Sequence, residues 1–315
     1  VTARTRWTTT AEVAGLRLDK YLAAPGRLGS RRRVSVALER GQVYLNDREA
    51  GLKDAGTRLV VGDVVRLWRD RPGSARRRFR PATVANLRIL YEDDELLVVN
   101  KPAGLLAVPL ERKRGADSVY DDLVKYMRPH GKRHPLVVHR IDRDTSGLVL
   151  FAKNPRAQTH LKAQFKRREP ERVYWALVYG HPAPREGVWQ DRLFWDRKAL
   201  MQKATAPDNP RGTDAVSSYR VLELFQDTSL IEIELDTGKR NQIRIQASLH
   251  GHDLVGERRY VSGVARLNPI AFPRQALHAR RLAFEHPLDG RSLSLEAPVP
   301  PDFAELLARL RRLTS

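Results

Sequence analysis

The chain contains no cysteine. That absence removes thiol nucleophiles, thiolate-bound zinc and disulfides from consideration in one step. Long apolar runs are missing too. No stretch reaches the ~18 residues that a spanning helix needs, so no membrane association of that kind is expected. Val1 to Thr10 lack the apolar core of an export signal. A cytoplasmic location is therefore the expectation. The nine histidines form no H-E-x-x-H or H-x-x-x-H pattern accompanied by carboxylates, so no metal site is expected.

What the chain has in excess is positive charge. It carries 57 Lys and Arg against 37 Asp and Glu, a formal net charge of +20. Such an imbalance opposes compaction, and a polyanionic partner is its natural counterpart. Nucleic acid is favoured. With 315 residues, 41% of them apolar, the chain can bury a substantial core.

The charge is uneven. Residues 1–80 hold 19 basic and 8 acidic residues, a net of +11, which is more than half of the whole excess. Asp70-Arg71-Pro72-Gly73-Ser74-Ala75-Arg76-Arg77-Arg78 has no apolar period and reads as a linker. The expected organisation is a small α+β module over 1–70, a basic linker over 71–85 and a larger domain over 86–315. In the first, Leu16, Leu18, Tyr21 and Leu22 recur at helical spacing. Ser30 can cap a second helix, Arg31 to Arg40, which Gly41 ends. Val43-Tyr44-Leu45 reads as a strand with Asn46-Asp47 as its turn. Val60, Val61, Val64, Val65 and Leu67 supply further strand residues around Gly62-Asp63.

In the larger domain strand patterns dominate: Leu87 to Tyr91, Leu96 to Asn100, Leu148 to Ala152, Val173 to Tyr179, Val216 to Leu222, Leu230 to Leu235, Ala276 to Phe284 and Ser292 to Leu295. Many are joined by turns, which argues for an α+β fold with a mixed, largely antiparallel sheet rather than a doubly wound parallel one. Helices are expected at about Ala157 to Arg168, Gln242 to Leu249 and Asp302 to Leu310.

The richest segment chemically is His139-Arg140-Ile141-Asp142-Arg143-Asp144-Thr145-Ser146-Gly147. Two carboxylates, a histidine and two arginines lie within six positions, between the apolar stretches Leu136 to Val138 and Leu148 to Phe151. Charges wedged between buried strands are costly unless paired, so the concentration suggests a site. A solvated loop is the bland alternative.

H-R-x-D-x-x-T-S-G followed by an apolar strand and Ala152-Lys153 resembles the central motif of RluA-type pseudouridine synthases. Ile89 to Asp93 with Asn100-Lys101-Pro102-Ala103-Gly104 resembles that family's opening strand pair. Val173 to Gly180 resembles its tyrosine strand, and Thr237 to Arg244 its third motif. Gly251-His252, Val255-Gly256, Leu277-His278-Ala279, His286-Pro287 and Glu296-Ala297-Pro298 continue the likeness, which spans about residues 86 to 312. Arg17 to Leu22 and Gly41 to Asn46 are similar to the S4 RNA-binding domain.

The resemblance implies isomerisation of uridine to pseudouridine in structured RNA. The N1–C1′ bond breaks, the base turns, and a C5–C1′ bond forms. Nothing is oxidised or lost, so no cofactor is implied. Asp142 matches the essential carboxylate, which either attacks C1′ or removes the C2′ proton; both routes need it ionised, and a buried cation beside it favours that form. Arg244 matches its salt-bridge partner. Tyr174 matches the tyrosine that stacks on the base and helps remove the C5 proton, and Ile243 would pack on the base's other side or serve as plain core. A paired uridine must be flipped out to be reached. Arg140 matches the residue placed in the vacated stack or against phosphate. His139, Lys101 and the helix arginines Arg31, Arg32 and Arg33 complete the expected substrate and RNA contacts, with His139 the more natural structural histidine. Asp144 is expected to cap the Thr145-Ser146-Gly147 turn.

The third motif departs from the family's T-G-R-x-H-Q-I-R-x-H at Lys239, Asn241 and Gln246, which puts RNA contacts near that helix in doubt. Trp195 to Arg211 fits no part of the family and reads as a loop reaching RNA. The implied partner is RNA, ribosomal RNA ahead of tRNA, and the protein is expected to be a monomer. A non-catalytic ribosome-associated RNA-binding protein, or a metal-dependent nuclease or phosphotransferase using Asp142 and Asp144, are the competing readings.

Overall fold

Turn residues and apolar spacing account for most elements of the computed structural model, which describes residues 4–39, 41–68, 82–84, 87–109, 117–128, 134–262 and 269–314. The chain forms two compact units, residues 1–80 and 81–315. Much of the stretch expected as a linker, 71–81 and 85, lies outside the described residues. Within it, however, Ala82–Val84 form a strand of the second unit's sheet, so the linker reading is too long at its end.

The first unit contains β1 (Arg4–Thr8), α1 (Leu18–Ala23), α2 (Arg31–Glu39), β2 (Val43–Leu45), β3 (Arg48–Glu49) and β4 (Val64–Trp68). Its antiparallel sheet runs β1-β4-β2-β3. Ser30 Oγ accepts the Arg33 N–H at 3.3 Å and caps α2. Asn46 and Asp47 both take positive φ, 50° and 65°, the two-residue turn that suits a hairpin's twist. Leu18, Leu22, Val34, Leu38, Val43, Val65 and Leu67 form the core. Two expectations need correction. Leu16 precedes α1 and is exposed, because Arg17 is still extended. Val60 and Val61 are exposed turn residues, held where Asp63 Oδ2 accepts the Val60 N–H at 2.8 Å.

The second unit holds one twelve-stranded sheet. Its elements are β5 (Ala82–Val84), β6 (Leu87–Glu92), β7 (Leu96–Lys101), α3 (Val119–Met127), β8 (Leu136–Val137), β9 (Ser146–Ala152), α4 (Pro155–Arg167) and β10 (Glu171–Tyr179). There follow β11 (Glu186–Asp196), β12 (Met201–Ala204), β13 (Thr213–Leu224), β14 (Thr228–Leu235), α5 (Gln242–Leu249), β15 (Leu277–Glu285), β16 (Ser292–Glu296) and α6 (Pro301–Thr314). The order is β12-β11-β13-β14-β10-β15-β9-β7-β6-β5, with β8 beside β9 and β16 beside β15. All pairings but one are antiparallel, as the turn-linked strand patterns imply. The exception, β9 with β15, pairs His278 with Ser146 and Ala279 with Gly147.

That parallel joint positions the site. Gly147 has φ +112°, and a Cβ there would lie 2.2 Å from the Ala279 carbonyl oxygen, so only glycine lets the two strands meet. The Asp142 loop enters β9 at this point. Apolar faces are buried by α4 against β7, β9 and β15 (Leu96, Leu150, Leu161, Leu282) and by α6 against β10 and β14 (Leu177, Leu230, Phe303, Leu307).

Trp195 to Arg211, expected as a loop, begins in a hairpin. β11 pairs with β12, Phe194 opposite Lys203 and Trp195 opposite Gln202. β11 has few buried positions, Trp189 and Leu193 chief among them. Its apolar signal is therefore thin, which is why its pattern does not stand out as a strand.

Candidate active site

The loop between β8 and β9 is fixed from several sides. The Thr145 N–H donates to the Asp142 carbonyl at 3.2 Å and closes the turn. Lys101 Nζ, at the end of β7, donates to the carbonyls of Arg143 (2.7 Å), Pro102 (2.8 Å) and Leu105 (2.8 Å). Arg274 Nη1 donates to the Asp144 carbonyl, and Ser146 Oγ meets His278 Nδ1 at 2.9 Å. Lys101, expected against RNA, is instead fully buried, and burial pushes its ammonium down to about 7 even though Asp144 and Asp142 act the other way. It serves as a brace for the loop. Asp144 does not cap the turn either; its side chain meets Arg143 Nε at 3.3 Å.

Asp142 opens into a cavity of about 460 Å³ with Arg140, Phe165, Arg172, Tyr174, Ile243 and Arg244 among its lining residues. Arg244, on α5, donates from Nη1 to Asp142 Oδ2 at 3.1 Å. The expected pair therefore forms. A second donor reaches the same oxygen: Asn241 Nδ2 at 2.6 Å. Oδ1 accepts no hydrogen bond from the described residues. One carboxylate oxygen is thus anchored twice and the other is not.

Asn241 is where helix propensity yields to the site. It occupies the N-cap position of α5 in the left-handed region, φ 56°, and its side chain does not cap the helix. Asn tolerates that conformation better than most residues. Gln242 Oε1 takes over part of the turn, accepting the Lys239 N–H at 2.9 Å and the Thr237 hydroxyl at 2.8 Å. Asn241 is thereby free to hold Asp142. The departure at Asn241 thus concerns the carboxylate directly, while Gln246 is wholly internal. Its amide donates to Asp191 Oδ2 and to the carbonyls of Trp189 and Ala215, tying α5 to β11 and β13.

Arg244 has a stronger partner that its local sequence does not announce. Its Nε and Nη2 donate to Glu257 Oε2 and Oε1, both at 2.7 Å, and the Glu257 side chain is fully buried. Glu257 Oε1 also accepts the N–H groups of Arg258 and Arg259. Burial pushes Glu257 upward, but the Arg244 bonds outweigh it and hold the carboxyl below its ordinary range. Arg244 is raised despite its own burial, by Glu257 first and Asp142 second. The order Asp142–Arg244–Glu257 aims the guanidinium, which then aims the aspartate.

Tyr174 sits on β10 with its phenol pushed up to about 12 by burial, so it is protonated at neutral pH. Ile243 lines the same cavity and is buried. Arg140 is exposed at the lining. His139 is structural: it stacks on Phe165, ring centres 4.7 Å apart, and its Nε2 accepts the Leu150 N–H at 3.0 Å. Burial, with Arg172 adding to it, brings its pKa to about 3, so it stays neutral. Arg31, Arg32 and Arg33 lie on the first unit, outside the cavity, exposed along α2.

Glu257, Phe165 and Arg172 do not stand out in the sequence, and Asn241 stands out only as a departure from the third motif. Arg172 carries a usable signal, standing two positions before Tyr174 and so on the same strand face. Glu257 follows the motif residues Val255-Gly256, but nothing local links it to Arg244, 13 residues before it in the chain.

A twelve-stranded, mostly antiparallel sheet with its parallel joint at β9 and β15 is the fold of the pseudouridine synthases. The solved structure titled Human RNA Pseudouridylate Synthase Domain Containing 4 shares this fold, with a TM-score of 0.58 at 24% identity over 71% of this chain and 92% of that one. The family described as RNA pseudouridylate synthase matches residues 95–249. Ribosomal large subunit pseudouridine synthase D of Zymomonas mobilis is 35% identical over 96% of both chains. An uncharacterized RNA pseudouridine synthase of Synechocystis is also 35% identical, over 95% of this chain and 90% of that protein. The chain belongs to the RluA family of RNA pseudouridine synthases and is an isomerase acting on RNA.

Proposed function

We propose that the enzyme isomerises uridine in large-subunit ribosomal RNA, with Asp142 as its catalytic residue, Arg244 as its positioning partner and Tyr174 beside the base. The observation that carries this reading is the asymmetry at Asp142, a cavity-lining residue: Oδ2 is held by Arg244 and Asn241, while Oδ1 accepts no hydrogen bond from the described residues. An ionised carboxylate anchored in that way can attack C1′ as N1 departs, or take the C2′ proton. In the first route C5 displaces Asp142 from C1′, and in the second C5 bonds to C1′ while Asp142 returns the proton to C2′; in both the C5 proton then leaves and N1 gains a proton, so the reaction balances without a cofactor. A neutral Tyr174 phenol can donate a hydrogen bond to the departing base, and can accept the C5 proton only by passing on its own.

Support for ribosomal RNA comes from relatives such as the Zymomonas mobilis enzyme, which bears that substrate in its name. The first unit, with its net +11 and the exposed arginines of α2, fits an S4-like handle for RNA phosphates. No described helix is long and apolar enough to cross a membrane, and action on ribosomal RNA fits a cytoplasmic location. The test is carbodiimide mapping of transcribed large-subunit RNA treated with wild-type protein and with Asp142→Asn. A site that appears with the first and is absent with the second is expected. Turnover by Asp142→Asn would overturn the catalytic assignment, and modification confined to tRNA would overturn the substrate assignment.

A further inference from the structure

Of the cations that line the cavity, only Arg244 holds Asp142 among the described residues, and Arg172 is the one whose charge burial opposes on balance. Arg172 stands on β10 and lines the cavity together with Tyr174. The other buried cations of this unit are matched: Arg244 by Glu257, Arg274 by Asp302 and Lys153 by Glu92, with Lys101 surrounded by carbonyls. Arg172 pairs with no carboxylate among the described residues. Its Nη2 donates to the Leu235 carbonyl at 2.7 Å, its Nε is buried with no hydrogen-bond partner, and its Nη1 makes no hydrogen bond there either. Burial acts against its charge, more than Tyr174 and the nearby Asp236 support it, and its guanidinium lies 5.9 Å from the centre of the Phe165 ring. A guanidinium left in that state is costly, and an anion delivered by a ligand would reverse the cost.

Gly238 explains how the guanidinium is accommodated. Its backbone is outside the left-handed region, so conformation does not require glycine. A Cβ at that position would instead lie 2.5 Å from Arg172 Nη1. The missing side chain is the space in which the guanidinium rests. Gly238 lines the same cavity. The glycine of the third motif and the arginine before the tyrosine therefore form one device.

We propose that Arg172, seated over Gly238, binds a backbone phosphate of the RNA at or next to the target uridine. The proposal rests on the reading of this cavity as the uridine site. Any uridine brought to Asp142 carries phosphates with it, and a planar guanidinium with an open Nη1 suits a phosphate oxygen. Arg172 would thus set the depth to which the flipped nucleotide enters, leaving the bond chemistry to Asp142.

The test uses the full chain and transcribed large-subunit RNA, with Kd measured across a series of KCl concentrations. Arg172→Gln is expected to fold, to bind more weakly, and to lower the slope of log Kd against log salt by roughly 0.7–0.9, the change expected when one phosphate is no longer neutralised. Gly238→Ala keeps the charge but displaces it, and should weaken binding as well. The double variant should bind no more weakly than Arg172→Gln alone, since both changes remove the same interaction. Unchanged affinity in a folded Arg172→Gln overturns the proposal. So does weaker affinity with an unchanged slope, which would assign Arg172 to a neutral group such as a uracil carbonyl. Additive effects of the two substitutions would overturn the role given to Gly238. If Arg172→Gln does not fold, Gly238→Ala decides: normal affinity there overturns the proposal. A wild-type chain that modifies no uridine in any RNA would bring down the reading of the cavity itself, a result distinct from all of these.

Discussion

The two units handle charge in opposite ways. In residues 1–80 the ion pairs, such as Arg17 with Asp19 and Arg48 with Asp54, involve exposed arginines, and the interior is mostly apolar, with Asp63 its buried carboxylate. In residues 81–315 charges are drawn inward: Lys101, Glu257, Arg274 and His286 are buried, and Arg244 nearly so. An exposed charge contributes little to stability and remains available to a polyanion. A buried charge must be matched, and the matching fixes geometry. The first arrangement suits affinity and the second suits chemistry.

The comparison can be pressed at its strongest point first. Asp142→Asn should abolish isomerisation while leaving circular dichroism and RNA affinity close to wild type; retained turnover in a mapping assay would show that the buried carboxylate is not the reacting group. Next in size is the guanidinium behind it. Arg244→Ala strands Glu257 in the interior, and should cost about 3–5 kcal/mol in denaturant unfolding together with activity. Glu257→Gln should lower kcat more than it raises KM, because it loosens the arginine that aims Asp142.

Deleting residues 1–80 tests the other side. A raised KM with kcat near normal is expected if that unit only supplies affinity, whereas a collapse of kcat would mean that it helps to build the site. Smaller still is the change on replacing Arg31, Arg32 and Arg33 by glutamine. The slope of affinity against salt should fall by roughly 0.7–0.9 for each phosphate that an arginine no longer neutralises, with thermal stability unmoved.

The smallest effect is a pH dependence. His286 is buried between Asp93 (2.7 Å) and Asp289 (2.8 Å), with Arg291 and Tyr91 also against Asp93. Burial lowers its pKa, but the two carboxylates prevail and raise it. A raised folded pKa stabilises below the ordinary imidazole value and is lost as pH rises through the folded one. The stability gap between wild type and His286→Gln should therefore be widest at acid pH and shrink on the alkaline side. A gap that widens with pH would show the imidazole to be neutral in the fold.

Much of the fold is legible in the residues. Apolar alternation locates β6, β7, β9, β10 and β14, because strands buried on one or both faces leave dense apolar runs. Gln242 to Leu249 matches α5 at both ends. β11 and α3 escape the sequence reading, the first because few of its side chains are buried. The Asp142 loop shows itself as a knot of charge between apolar strands, and Asp142 with Arg244 follows from family resemblance.

The linear chain by itself determined which residues must be inside, where turns fall, and which carboxylate stands at the motif's centre, since these depend on local sterics and on hydrophobic spacing. Only the tertiary structure decided how the charges are shared out. That Glu257 rather than Asp142 is the main partner of Arg244, that Asn241 leaves its helix uncapped to hold the aspartate, and that Lys101 braces a loop instead of meeting RNA are matters of distance between residues far apart in sequence. Each depends on which groups lose water together when the sheet closes, and one-dimensional spacing carries no record of that.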